Sequence, residues 1–301
     1  MDHSPHKIVI VIPTIGRHAE LSRMLASLAQ QTRLPDEVII VDEDESSWTL
    51  AGQFPRLKIR VKALPGSASA KRNAGLKAAP PNMTLIGFMD DDIVLDDAAV
   101  SAMAAFWEQA PAAVGGTTCN YLNAPRGFAP GLKKLPLWSA LGLYEARPGS
   151  VAKSGFQTRV TDLHETTYVR WLPSGATFYT REVLEKFCFD EWFAGYSYLE
   201  DLDFSYRIGK KYKLAVVAES HFYHYPSPIG RVDPYGFGIK EVTNRLHFVR
   251  KHAELSTVQC CITLSIRALM SMLWGLTCFE AAPLKRAGGN VIALLSALTS
   301  Q

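Results

Sequence analysis

Paired and patterned cysteines are missing from this 301-residue chain: there are five cysteines, an odd number, and no C-x-x-C. A disulfide framework and a zinc knuckle are thereby excluded, and a reducing compartment is expected. No G-x-G-x-x-G follows the first apolar run, which excludes a dinucleotide-binding dehydrogenase. The net charge of +3 is too small to imply nucleic acid as a partner. Long hydrophobic runs are scarce too. Ile8–Ile12 is five residues ended by Pro13, a buried strand and not a signal peptide, and Arg267 interrupts the best membrane-spanning candidate, 258–279. Internal repeats and low-complexity tracts are absent.

What is present is a foldable composition, 48% apolar and 20% charged. Its most informative feature is Asp90-Asp91-Asp92, directly after the apolar run Met83–Met89. Carboxylates delivered together by a buried strand repel one another unless a cation neutralises them, which suits a hard divalent metal shared with a diphosphate. The competing reading is a solvated helix start, with Asp96 and Asp97 capping a helix that begins near Ala98.

The first half alternates strands (7–12, 37–41, 57–61, 83–89 and 112–119) with helices (19–31, 69–79 and 98–110). Continuous apolar strands between helices indicate an α/β fold, a mostly parallel sheet covered on both faces. Ligands of such sheets bind beyond the carboxyl ends of the strands. Pro13-Thr14, Asp42 and Asp90–Asp92 all sit there, which predicts one shared site. Residues 120–167, punctuated by Pro125, Gly127, Pro130, Gly131, Pro136, Pro148 and Gly149, read as a long excursion over the sheet edge on the acceptor side, with Leu135 among its apolar islands. Further on come a strand ending at Tyr179, a helix 181–187, a helix in the second half of 189–207, a strand 213–218, helices 235–252 and 257–279, and a weaker one near 291–298.

Five motifs then occur in order: Ile8–Thr14, Pro35-Asp-Glu-Val-Ile-Ile-Val-Asp42, Lys71-Arg-Asn-Ala-Gly75, Asp90–Asp92 and Glu200-Asp201-x-Asp203. Together they resemble the family 2 glycosyltransferases, over roughly residues 7 to 225. The resemblance implies a GT-A fold, Rossmann-like, with a helical C-terminal appendage. It divides the chain into a catalytic domain at 1–228 (a nucleotide-binding half 1–119, an acceptor-binding half 120–228) and a helical segment 229–301. It also implies inverting transfer of a sugar from a nucleoside-diphosphate donor with Mn²⁺ or Mg²⁺, in cell-surface polysaccharide synthesis. By the same resemblance Asp92 ligates the metal, Asp90 contacts the ribose or the metal's water shell, and Asp91 orients the donor sugar. Asp201 is the base, Glu200 orients the acceptor, and His224, rather than His221, completes the metal shell.

Elementary chemistry adds to this. Backbone exposed at Pro13 and Thr14 suits a nucleobase edge. Asp42, rather than Asp44, accepts a hydrogen bond from a pyrimidine N–H, favouring a UDP- or dTDP-sugar. Arg72 and Asn73 open a helix whose N-terminal N–H groups and guanidinium suit a phosphate, the alternative being that Lys71 and Arg72 form an ordinary solvated pair. Arg17 lies within reach of the diphosphate. Trp192, Phe193, Tyr196 and Tyr198 are candidates for a wall stacking on sugar rings. From Lys240 onward seven Lys/Arg stand against three Glu, and Ile262, Ile266, Leu269, Met272, Leu273 and Leu276 share one helical face. That predicts a peripheral helix pair on the cytoplasmic face of a membrane, near a glycan or lipid-linked acceptor; packing on the domain or on a second copy of the chain is the alternative. Two other function classes are set against the transferase. A nucleotidyltransferase would carry a Gly- and Lys/Arg-rich loop where Pro13-Thr-Ile-Gly-Arg17 stands without glycine repeats, and a non-catalytic scaffold would not need the acids at 90–92 and 200–201.

Overall fold

The structure, a computed structural model, describes residues 6–43, 46–125 and 136–299. Asp44, and Gly127, Pro130, Gly131 and Leu135 of the irregular stretch, lie outside them. Two compact units are formed, Met1–Pro125 with Val160–Gly230, and Arg126–Arg159 with Arg231–Gln301. The excursion is thus divided, and its middle is grouped with the C-terminal helices.

The first unit is built on a nine-stranded sheet. Its strands are β1 (Ile8–Pro13), β2 (Glu37–Asp42), β3 (Ile59–Ala63), β4 (Leu85–Met89), β5 (Ile93–Leu95), β6 (Val114–Tyr121), β7 (Thr167–Val169), β8 (Ala176–Thr180) and β9 (Lys213–His224). Their order is β3-β2-β1-β4-β8-β6-β9-β5, with β7 also on β9. The four leading strands are parallel, as is β6 with β9, whereas β8, β5 and β7 run antiparallel to their neighbours. The expected α/β architecture is present, but the sheet is mixed because β8 enters between β4 and β6.

Strand alternation decides the two faces. Ile8, Ile10 and Ile12 point to one side, against Leu21, Met24 and Leu25 of helix α1 (His18–Ala29). Val9 and Val11 point to the other, with Ile39, Val41 and Ala74. Burial of each such aliphatic side chain contributes about 1.5–3 kcal/mol. Between α1 and the later helices lie α2 (Ser47–Ala51) and α3 (Ala68–Ala78). Helix α3 lies on Val9 and Val11 at very close range: a Cβ on Gly75 would come 2.2 Å from Val11 Cγ1. Helix α4 (Ala99–Gln109) starts without the expected acidic cap, since its N-cap Ala98 makes no side-chain bond. Strand β9 outruns its expected end at 218: a register shift against β6 between Cys119 and Asn120 lets it continue and pair Phe222–His224 with β5.

The second unit, as described, holds α5 (Pro136–Ala140), α8 (Pro234–Arg250), α9 (Thr257–Thr277) and α10 (Ala281–Thr299); α6 (Arg181–Lys186) and α7 (Glu200–Gly209) belong to the first unit. Asp233 caps α8 by accepting from the Tyr235 and Gly236 N–H groups, and Ser256 caps α9. The loop at 141–157 packs onto these helices: Arg245 donates to the Gly155 carbonyl and to Gln157, with its guanidinium 3.9 Å above the Phe156 ring, and Gln259 donates to the Leu141 carbonyl. Glu241, fully buried, is met by Arg267 and Arg286. Burial pushes its carboxyl up, but the two guanidinium groups outweigh this and hold it below the ordinary range. The last helix extends ten residues further toward the N-terminus than 291. Helix α9 is long and apolar enough to cross a membrane by length and composition, contrary to expectation, because one arginine in 21 residues does not disqualify it.

Candidate active site

Strands β1, β2 and β4 end at or just before residues that tie down the rim. Pro13 is the last residue of β1, in register with Val41, and Thr14 N–H donates to the Val41 carbonyl at 3.0 Å. Thr14 Oγ1 donates to Asp91 Oδ2 at 2.6 Å, and Arg17 Nη1 donates to Asp91 Oδ1 at 3.0 Å, standing 3.9 Å from Asp92. Burial drives the Asp91 carboxyl up to about 6, in spite of Thr14 and Arg17, which pull it down. Arg17 also donates to the Ile229 carbonyl, while its buried Nε has no partner.

Asp42 stands at the end of β2, but its carboxylate is turned inward. It is fully buried and accepts from Gly16 N–H at 2.9 Å, Glu43 N–H at 2.7 Å and the Ser47 hydroxyl. In the structure it holds the loop after β1 and the turn into α2, with Oδ1 accepting the two N–H groups and Oδ2 the Ser47 hydroxyl.

Helix α3 carries Lys71, Arg72 and Asn73 in succession, all three buried, which overturns the solvated-pair reading. Lys71 Nζ donates to the Thr14 carbonyl at 2.7 Å and pairs with Glu43 at 2.9 Å. Arg72 donates through Nη2 to Asp90 at 2.7 Å and through Nη1 to Glu200 at 2.8 Å. The guanidinium is therefore engaged by two carboxylates and is not turned to a phosphate. Asn73 Nδ2 donates to the Phe189 carbonyl and to Glu191, and its Oδ1 accepts the Phe189 N–H at 2.9 Å. Its amide brackets a loop and is not exposed to a donor.

Asp92 and His224 are joined by the β5–β9 pairing, in which Ile93 is opposite His224. His224 Nε2 lies 2.9 Å from Asp92 Oδ1, and Ser227 N–H donates to Asp92 Oδ2 at 3.0 Å. Burial raises the Asp92 carboxyl, but the His224 bond and charge, the Ser227 N–H and Arg17 together lower it below the ordinary range. His221 is elsewhere, paired with Asp96 at 3.0 Å.

The acids of the second half open α7. Leu199, immediately before, has φ +76°, a left-handed conformation that a branched aliphatic residue adopts only under constraint. Asp201 accepts from Ser174 N–H at 2.9 Å and from its neighbour Leu202 N–H at 2.8 Å. Burial and the adjacent Asp201 charge raise Glu200 to about 7, against the pull of Arg72. Asp201 and Arg72 line one small recess with Ser174, Thr177, Tyr179 and Phe189. Of the aromatic candidates, Trp192 is half exposed, whereas Phe193 is wholly buried and belongs to the core.

The structure therefore gathers Thr14, Arg17 and Asp91, pairs Asp92 with His224, and links Asp90 to Glu200, the neighbour of Asp201, through Arg72. Sequence reasoning missed Lys71 as a buried tie to the first strand and Ser227 as a donor to Asp92; nothing in the Tyr-Pro-Ser run after His224 announced the latter. Among the described residues no three acidic, histidine or cysteine side chains converge as a metal cage. Asp92, with substrate phosphates and water completing the shell, nonetheless fits Mn²⁺ or Mg²⁺, and the His224 imidazole beside it adds a nitrogen ligand that suits Mn²⁺ better than Mg²⁺.

A family model described as glycosyl transferase family 2 matches residues 9–155. An uncharacterized glycosyltransferase, YwdF, of Bacillus subtilis (strain 168) is 39% identical over 89 residues, 29% of this chain and 32% of that protein. The matched segment thus spans about a third of that relative's length. Among solved structures, S. aureus TarS 1–349 in complex with UDP superposes with a TM-score of 0.56 at 16% identity, covering 98% of this chain and 92% of the other. The mannosyltransferase PcManGT from Pyrobaculum calidifontis, in complex with GDP-Man and Mn²⁺, gives 0.57 at 14% identity over 96% and 87%. At such identities the structural likeness speaks for the fold. With the motif order, the strand-end acids and the family match in agreement, residues 9–155 of the chain form a glycosyl transferase family 2 region.

Proposed function

We propose that the chain is an inverting glycosyltransferase that moves a sugar from a nucleoside diphosphate, a UDP- or dTDP-sugar, to a hydroxyl of a glycan or lipid-linked acceptor. One observation carries this reading: Arg72 grips Asp90 and Glu200 at once, so acids from two distant segments of the chain share a single rim. TarS with UDP and PcManGT with GDP-Man and Mn²⁺ support a nucleotide-sugar donor.

Asp92 and His224 would hold a divalent cation, which when bound acts as a Lewis acid on the leaving diphosphate. Arg17, with an unpartnered Nε beside Asp91, supplies a fixed positive charge next to the diphosphate. The nucleoside would lie along the rim beyond Pro13 and Thr14, whose own backbone at Thr14 is taken by Val41 and Lys71, and Asp91, held by Thr14, would orient the donor sugar. Asp201, aimed by the Ser174 and Leu202 N–H groups, takes the proton of the acceptor hydroxyl as its oxygen attacks the anomeric carbon from the face opposite the diphosphate. The nucleoside diphosphate leaves with the bonding electrons. Asp201→Asn tests the assignment: UDP release from UDP-glucose, UDP-galactose or UDP-GlcNAc should fall at least about a hundredfold, with UDP affinity retained. Turnover near that of the wild type in a folded variant would refute it.

The acceptor class rests on the second unit. Val258, Leu269, Leu273, Leu276 and Phe279 of α9 and its end are exposed, as are Val291, Ile292 and Leu295 of α10. Arg245, Arg267 and Arg286 are engaged within the unit, but with Arg250, Lys251 and Lys285 exposed this supports peripheral attachment to the anionic cytoplasmic leaflet, where a lipid-linked acceptor in surface-polysaccharide assembly would be met. Co-flotation with vesicles containing phosphatidylglycerol, but not with phosphatidylcholine alone, is expected. Dimerisation at micromolar concentration without flotation would assign the face to a second copy instead.

A further inference from the structure

We propose that Arg72 is a positioning residue whose planar fork fixes the acid at the donor end of the site, Asp90, in one relation to the acids at the acceptor end, Glu200 and its neighbour Asp201. The inference rests on the transferase reading and deepens it.

Three observations carry it. The two terminal nitrogens of the guanidinium serve different carboxylates, Nη2 that of Asp90 at 2.7 Å and Nη1 that of Glu200 at 2.8 Å. A fork with fixed angles sets the distance and the mutual orientation of its two partners, which a lysine ammonium does not. The fork itself cannot wander: its side chain is 4% exposed, and its Cζ lies 5.3 Å from the Phe189 ring. Phe189 is in turn clamped at N–H and carbonyl by Asn73 and stacked at 3.8 Å on Phe204 of α7, the helix that carries Glu200 and Asp201. Finally, Leu199 in its left-handed conformation fixes how the chain enters that helix. Asp201 adjoins a residue bound by Arg72 and shares a recess with it, so a change in the fork is transmitted to the oxygen that must meet the acceptor. Displacement of a reacting group by about 1 Å costs about a hundredfold in rate.

The decisive variant is Arg72→Lys in the full chain, with Arg72→Ala and Glu200→Gln alongside. R72K should keep its circular dichroism and a near-native Tm, bind UDP with MnCl₂ within about threefold of the wild type by calorimetry, and lose about a hundredfold in kcat for UDP release. Millimolar guanidinium should restore part of the kcat of R72A. Hydrogen exchange at the first-turn amides of α7 should quicken in R72K, whether or not a donor is turned over. Wild-type kcat in R72K, or unchanged α7 exchange, would overturn the proposal; so would a loss confined to UDP affinity, which would make Arg72 a donor ligand. If the wild type itself releases UDP from none of the donors named above, the transferase reading falls, and the exchange measurement alone decides for or against the Arg72 bridge.

Discussion

His224 Nε2 and Asp92 Oδ1 meet at 2.9 Å across 132 residues of sequence, because β5 and β9 pair Ile93 with His224. The contact is set by sheet register and not by a loop. His224→Ala should therefore weaken Mn²⁺ binding in the presence of UDP by at least about tenfold, as loss of even an outer-shell partner commonly does. Titration of bound Mn²⁺ by electron paramagnetic resonance measures this. His221→Ala, which touches Asp96, should leave the affinity in place.

Glu200 predicts a pH effect on stability. Burial, with Asp201 beside it, raises its carboxyl from an ordinary 4.5 to about 7 despite Arg72. The folded chain thus binds this proton more tightly than the unfolded chain does. The resulting stabilisation is complete below pH 4.5 and is lost as pH rises through about 7. Glu200→Gln removes that dependence, so the Tm of the variant relative to the wild type should climb over this interval. A constant difference across the interval would show that Glu200 titrates as an ordinary carboxylate.

Gly75 is a packing requirement. Its missing Cβ would stand 2.2 Å from Val11 Cγ1, in a strand that cannot retreat. Gly75→Ala should destabilise by about 1–3 kcal/mol in urea unfolding, the usual cost of overpacking. A neutral result would mean that α3 slides freely along β1.

Glu241 predicts a stability loss within the helical unit. Its fully buried carboxylate neutralises Arg267 and Arg286, each about a quarter exposed. Glu241→Gln should cost about 2–3 kcal/mol, toward the low side because both cations are partly hydrated. Chemical denaturation followed by tryptophan fluorescence would measure it.

Much of the first unit was legible because its strands are continuous apolar runs that end at chemically distinctive residues. Pro13, Asp42 and Asp90 announce three strand ends, and register then brings them to one rim. Three-residue β5 was not legible: it is too short for a pattern, and its partner exists only because β9 runs on past a register shift. Nor could the fates of Asp42, Arg72 and Asn73 be read. Asp42 ends a strand, whereas Arg72 and Asn73 lie in the middle of α3, which starts before them at Ala68; what each touches comes from other segments: Ser47 and Gly16, Glu200 and Asp90, Phe189 and Glu191. Local sequence gives the chemistry of a side chain and not the neighbours that occupy it. Lys71 shows the same limit, since its burial depends on the Thr14 carbonyl and Glu43.

Three consecutive side chains of α3 stitch together Thr14, Glu43, Asp90, Glu200 and the stretch from Phe189 to Glu191. A pocket wall sewn in this way behaves as a template rather than a hand that closes. Affinity developed against it is not diminished by freezing loose chain at the moment of encounter. Substitution is then easier at half-exposed Trp192 than behind that seam.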